Sequence, residues 1–326
     1  MVHAALKRLE YRGYDSVGEA TISDGRLYVK KDRGKIDEVH KIFNLDDLPG
    51  SIGIGHTRWA THGAPLQVNA HPHQDCKGQI AVIHNGIIEN FAELRQDLEA
   101  RGHVLKSKTD TEVMAHLIED GFNNKHSASL ADVVLEAVKK VEGSYSFAVI
   151  STMDPDKMVC ARNESPLVIG VADEGFYCAS DIPALLPLTK KTVIVENGEL
   201  VTLSPENFEI KKIVDSSIVV RKPKITDWSP EMAVKGGYPH FMLKEIHEQP
   251  QTLRNVLRLQ EHYLDLMATF LERAREVFLL ACGTSYHACL AASYMFSKLA
   301  FLGTYPVIAS ECVEQHGKSI GIDSTI

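Results

Sequence analysis

The sequence has no run approaching the ~20 consecutive apolar residues that a membrane-spanning helix needs. Its N-terminus lacks the basic-then-apolar pattern of an export signal. There is no basic run either. With 35 Lys and Arg against 43 Asp and Glu, the chain carries a net charge of −8, which leaves nucleic-acid or membrane phosphates no footprint. Cys76, Cys160, Cys178, Cys282, Cys289 and Cys312 are scattered and none forms a C-x-x-C pair. A chain of 326 residues does not need disulfide staples, so a reducing, cytoplasmic setting is expected. Internal repeats and low-complexity segments are absent. A metal is not expected, and neither is a cofactor. His56, His62, His71, His73 and His84 lie close in sequence but offer no helical i, i+4 ligand pair and few neighbouring acids. They read as polar packing around a cleft. Cys282 reads as a small buried hydrophobe.

What is present suffices for about two domains, with 44% hydrophobic residues to fill their cores. Asp24-Gly25 between apolar runs at 17–22 and 27–29 signals a hairpin. Short apolar strands are expected at 51–56 and 79–84. Helices are expected after Asn90, after Thr109 or Asp110 and ending near Gly121, and after Ser129. The last carries Leu130, Val133, Val134, Ala137, Val138 and Val141 at helical spacing. From 145 to about 213 the chain is strand-rich, with Asn197-Gly198 read as a second hairpin joining 192–195 to 200–203. This order predicts an α+β fold with sheets packed on each other. Residues 214–240 have no clear period and read as a linker. Two helical segments follow, at about 241–257 and 261–274. A buried strand at 276–281, a helix at roughly 286–300 and a strand at 305–309 then form one β-α-β unit, the opening of a doubly wound parallel sheet.

Two segments carry chemistry: His56-Thr57-Arg58-Trp59-Ala60-Thr61-His62-Gly63 and His84-Asn85-Gly86-Ile87-Ile88-Glu89-Asn90. Arg58 offers a planar fork for a carboxylate. Asn85 and Gly86 offer a side-chain amide and a bare backbone N–H, the parts of an oxyanion hole. Asp110 could hold an α-ammonium. Together these would grip glutamine and polarise its amide. Each residue also has an ordinary reading: a surface ion pair for Arg58, a tight turn for Asn85-Gly86, a helix cap for Asp110. Gly283-Thr284-Ser285, at a strand-to-helix turn, suits an anion such as phosphate or plain helix capping.

With Leu9-Glu10-Tyr11-Arg12-Gly13-Tyr14-Asp15-Ser16, Thr109-Asp110-Thr111-Glu112-Val113, Ser165-Pro166-Leu167-Val168-Ile169-Gly170 and Ala179-Ser180-Asp181, these segments resemble the glutaminase half of the glutamine–fructose-6-phosphate aminotransferases. Lys244-Glu245-Ile246-His247-Glu248-Gln249-Pro250 and Ala281-Cys282-Gly283-Thr284-Ser285 are similar to the start of their sugar-isomerase half. The resemblance implies an N-terminal-nucleophile hydrolase-type αββα sandwich over 1–213, the linker at 214–240, and the beginning of an α/β sugar-isomerase domain at 241–326. It implies glutamine and fructose 6-phosphate as substrates, and a homodimer in the full-length enzyme.

The resemblance also implies residue roles. Arg58 holds the glutamine α-carboxylate, Asp110 its α-ammonium, and Asn85 and Gly86 form the oxyanion hole. Trp59 gates the ammonia path, and Arg12 makes a contact that closes a loop over glutamine. Thr284 and Ser285 belong to the sugar-phosphate site. The family's attacking group is an N-terminal cysteine, whereas this sequence starts Met1-Val2-His3. The expectation is therefore a chain that does not hydrolyse glutamine as written. Alternatives are a catalytically dead piece with a residual glutamine pocket, and another class of glutamine amidotransferase, which would give no reason for the Cys282–Ser285 turn.

Overall fold

The computed structural model describes residues 1–60, 63–124, 128–227, 236–256 and 261–325. Thr61 and His62 of the first chemical segment, and 228–235 of the expected linker, lie outside the described residues. The chain divides into two compact units, Met1–Phe241 and Met242–Ile326.

The first unit is built in four layers. Helix α1 (Val2–Leu9) precedes strands β1 (Ser16–Ser23) and β2 (Arg26–Arg33). These pair antiparallel through Ser23 and Arg26, and both turn residues, Asp24 and Gly25, have positive φ, as the two-residue hairpin signal requires. Helix α2 (Ile36–Phe43) and strand β3 (Ile52–Arg58) follow, giving a three-stranded sheet in the order β2-β1-β3. Leu6, Val17, Ile36, Val39 and Leu45 bury the two helices on one face of it.

Next come β4 (His73–Gln74), β5 (Ile80–Ile88), α3 (Phe91–Ala100), α4 (Glu112–Asn124), α5 (Leu130–Val138), β6 (Gly143–Ser151) and β7 (Met158–Asn163). The chain continues through β8 (Val168–Ala172), β9 (Gly175–Ala179), β10 (Lys191–Ile194), β11 (Glu199–Leu203), β12 (Phe208–Lys212), β13 (Ile218–Val219) and β14 (Lys224–Ile225). Seven of these strands form one sheet, β13-β12-β11-β7-β6-β5-β4, and four form another, β14-β10-β8-β9. The seven-stranded sheet is buried on both faces because its strands alternate two sets of apolar residues. Ile80, Val82, Tyr145, Phe147 and Val149 pack with α4 and α5 residues such as Met114, Ile118, Leu130 and Val134. Ala81, Ala148, Ile150, Val201 and Leu203 pack with Ala20, Ile22 and Ile54 of the three-stranded sheet and Ile169 and Val193 of the four-stranded one. The result is the αββα sandwich.

Several local expectations change. Asn197-Gly198 makes a turn but not a hairpin: β10 and β11 lie in different sheets, and Val193 and Val201 meet across the core instead of pairing. Helix α4 runs through Gly121, where a Cβ would sit 2.9 Å from that of Val133, so this glycine lets α5 approach. Ser129 caps α5 in a reciprocal box with Asp132. Asn90 instead spends its side chain on Lys140 O and the Glu142 N–H. The stretch 214–240 holds β13 and β14, paired with β12 and β10.

In the second unit, α6 (Phe241–Val256) and α7 (Glu261–Arg273) precede β15 (Glu276–Ala281), α8 (Gly283–Met295) and β16 (Tyr305–Ile308). A short helix α9 (Cys312–His316) and strand β17 (Ser324–Thr325) follow. Both β16 and β17 run parallel to β15. The sheet packs Phe278 and Val307 on Cys312. Cys282 is exposed, not buried, because it lies past the end of β15 as the residue preceding α8. Among the described residues no helix is long and apolar enough to cross a membrane.

Candidate active site

Strands β3 and β5 and the approach to α4 deliver the charged and polar groups of the first unit. Arg58 is the last residue of β3 and Trp59 follows it; Asn85 and Gly86 lie in the second half of β5; Asp110 sits two residues before α4. All five line one cavity of about 940 Å³, and so does Arg12. The same cavity extends along β3 and β9, which are the edge strands of two separate sheets.

Arg58 is 4% exposed. Burial lowers its pKa, and the negative charges of Asp110 and Asp15 work against that loss. Its backbone is fixed by Asp15, whose N–H donates to Arg58 O at 3.0 Å and whose Oδ2 accepts from the Ala60 N–H at 2.8 Å. Asp15 lies within the Leu9–Ser16 segment but had no role legible in the sequence. Its signal was its place in the Tyr14-Asp15-Ser16 turn, where a short carboxylate can serve backbone donors. Trp59 is exposed and tilts against Tyr14 at 5.5 Å.

Asn85 is oriented by His56, whose Nε2 lies 2.9 Å from Asn85 Oδ1. Burial, only partly offset by that hydrogen bond, brings His56 down to about 4, so the ring is neutral near pH 7. The neutral ring donates Nε2–H to Oδ1, and the Asn85 amino group is the end turned away from it. Gly86 has φ +128°, and a Cβ there would stand 2.1 Å from Ser144 O. Only glycine presents its N–H from that position.

Asp110 Oδ2 accepts the Ile88 N–H at 2.9 Å, which ties the residue to the end of β5. Next to it, the Thr111 hydroxyl bridges His71 Nε2 at 2.9 Å and His84 Nδ1 at 3.0 Å. Burial lowers the pKa of both imidazoles, that of His71 well below its ordinary value. These histidines are uncharged, hydrogen-bonded wall. Arg12 Nη1 donates to Ser180 O at 3.1 Å, and Tyr11 OH donates to Asp181 Oδ2 at 2.6 Å, so the segment before β1 is tied to the loop after β9. Thr284 and Ser285 lie in the second unit, exposed in the first turn of α8.

The arrangement offers a cation and an anion for the two ends of an amino acid, and an amide and a backbone N–H for an oxygen that gains charge. Residues 56–187 match the family described as Glutamine amidotransferase domain. The chain is 46% identical over 309 residues to the glutamine–fructose-6-phosphate aminotransferase (isomerizing) of Pyrococcus horikoshii, a match covering 95% of this chain and 51% of that protein. It is 44% identical over 311 residues to the Aquifex aeolicus protein of the same name, covering 95% and 52%. The chain thus spans about half the length of the curated relatives it matches.

A solved structure described as the allosteric regulatory enzyme of purine biosynthesis aligns with TM-score 0.57 and 28% identity, over 66% of this chain and 46% of that one. The glutamine phosphoribosylpyrophosphate amidotransferase of B. subtilis shares the fold, at TM-score 0.57 and 21% identity, over 93% of this chain and 61% of that one. This chain carries a glutamine amidotransferase domain and, along 95% of its length, is a homologue of the glutamine–fructose-6-phosphate aminotransferases.

Proposed function

We propose that the cavity of the first unit binds glutamine, and that the protein uses it to supply ammonia to fructose 6-phosphate, yielding glucosamine 6-phosphate and glutamate. The carrying observation is the convergence of Arg58, Asp110, Asn85 and Gly86 on one cavity. In this reading Arg58 forks the α-carboxylate and Asp110 takes the α-ammonium. The Asn85 amino group and the Gly86 N–H receive the side-chain oxygen as addition to the amide carbon makes it an oxyanion. The attacking group is the N-terminal cysteine thiol that the family resemblance implies. Collapse of the tetrahedral intermediate, with a proton passing to the leaving nitrogen, releases ammonia and leaves a γ-glutamyl thioester, which water hydrolyses to glutamate and the free thiol. Trp59 and the Arg12 tie to Ser180 and Asp181 control the cavity mouth. Thr284 and Ser285 bind the sugar phosphate at the start of α8, and the whole protein works as a homodimer. Its six free cysteines support a reducing, cytoplasmic compartment.

Titration calorimetry of the purified chain with L-glutamine tests this. Saturable binding is expected, weakened by about 10–100-fold in Arg58→Ala, because a charge-assisted hydrogen bond contributes about 1.5–3 kcal/mol. Glutamine binding unaffected by that substitution would overturn the assignment.

A further inference from the structure

A cluster away from these residues has the composition of a metal centre. Cys76 lies in the turn between β4 and β5, His103 in the loop after α3, and His116 and Glu119 one helical turn apart on α4. One donor atom from each falls within 4.8 Å of all the others. Cys76 Sγ is 3.7 Å from His103 Nδ1 and 3.6 Å from His116 Nδ1. Glu119 Oε2 is 3.0 Å from His103 Nδ1 and 3.2 Å from His116 Nδ1. His103, His116 and Glu119 are buried, while Cys76 is exposed and leaves a path in from solvent.

We propose that Cys76, His103, His116 and Glu119 bind a zinc-class divalent cation in a tetrahedral, four-ligand structural site. Zinc bonds of about 2.3 Å to sulfur and about 2.1 Å to nitrogen, at a tetrahedral angle, separate the two ligand atoms by about 3.6 Å. The observed sulfur-to-nitrogen distances of 3.6 and 3.7 Å match that edge. Mixed sulfur, nitrogen and oxygen donors select a borderline-soft cation over magnesium or calcium. Four protein ligands leave no open position, which marks a structural site.

The surroundings of His103 also suit a ligand: Glu119 Oε2 lies at Nδ1, and Asp120 Oδ1 lies 2.7 Å from Nε2. With a cation on the Nδ1 lone pair, Nε2–H donates to Asp120, the carboxylate-to-histidine support that ligating imidazoles ordinarily have. On binding, the Cys76 thiol releases its proton to solvent. The thiolate and the Glu119 carboxylate then balance the dication. The cation would join the β4–β5 turn, the loop after α3, and α4, the helix that Asp110 and Thr111 precede.

The test uses the whole chain, stripped with a chelator, dialysed, and titrated with zinc and with cobalt(II). One equivalent of zinc is expected to be retained. Cobalt should give tetrahedral visible bands and a thiolate charge-transfer band that Cys76→Ser removes; Cys76 is exposed at a turn, so that variant folds. Asp120→Asn, which keeps all four ligands, should weaken zinc binding about 10–100-fold. In the unaltered chain, zinc should also protect Cys76 from alkylation, read by peptide mapping. Failure to take up stoichiometric zinc, a cobalt spectrum unaltered by Cys76→Ser, or Cys76 alkylated equally with and without zinc would each overturn the site.

Discussion

Gly86→Ala is expected to cost the first unit its native structure. The residue lies in β5, paired along its whole length with β6, and Gly86 stands opposite Tyr145. An added Cβ would meet Ser144 O at 2.1 Å, Ser144 C at 2.7 Å and Tyr145 Cα at 3.0 Å. All three are backbone atoms of the neighbouring strand, so no side-chain rotation relieves the overlap. The conformation, φ +128°, is itself one that alanine resists. Separating the strands would break the ladder that Phe147, Val149, Ile80 and Val82 hold under α4 and α5. Strain and lost packing together should exceed about 4 kcal/mol, a large part of the 5–15 kcal/mol that holds a typical domain. Urea unfolding followed by circular dichroism would show the midpoint collapse or no soluble protein. Ile87→Ala, at the next position and 41% exposed, should shift the midpoint little. A Gly86→Ala protein as stable as that control would mean that the strand pairing at 86 is misdrawn, and the oxyanion assignment would fall with it.

That Arg58, Asn85 and Gly86 share a cavity was readable because β3 and β5 are local apolar runs with polar residues toward their ends; Asp110, which precedes α4, reaches the same cavity only through the fold. Asp24-Gly25 was legible for the same local reason: two positive-φ residues between apolar runs permit one geometry. Asn197-Gly198 carried the same signal and misled. A dipeptide specifies a reversal of the chain, whereas the sheet that each flanking strand joins depends on which core Val193 and Val201 enter. Gly121 read as a helix stop because glycine ends helices, yet its reason is the closeness of Val133, a neighbour known only after folding. The Cys76, His103, His116 and Glu119 cluster was invisible for the strongest form of this reason. Its donors come from three segments, whereas His71 and His84, two of the histidines that invited a metal reading in sequence, form uncharged hydrogen-bonded wall instead.

Arg221→Ala should reveal that the supposed linker is part of the first unit's structure. Arg221 makes a two-pronged pair with Glu199 of β11, Nη1 to Oε2 and Nη2 to Oε1, each 2.8 Å. Nη1 also donates to Ile194 O at 2.8 Å. Glu199 is 3% exposed, and its Oε2 accepts the Glu196 N–H at 2.7 Å as well. Burial alone would raise the Glu199 pKa; Arg221 and that N–H outweigh it and hold the value below the usual 4.5. Truncating the arginine leaves a buried carboxylate without its partner, a loss of about 3–5 kcal/mol. An exposed pair such as Lys139 with Glu136 should cost under about 1 kcal/mol when Lys139 is replaced by alanine. The depressed pKa sets the pH dependence. The stability that Glu199 contributes is present above about pH 4.5 and is lost as the pH falls through its folded-state value. Urea midpoints of the unaltered chain and Arg221→Ala should therefore lie far apart at pH 7 and converge in acid. Replacing both partners by apolar residues, Glu199→Leu with Arg221→Met, should recover most of the loss, since no buried charge is then left unpaired. If Arg221→Ala costs no more than Lys139→Ala at pH 7, the segment after β12 is the loose connection that its sequence suggested.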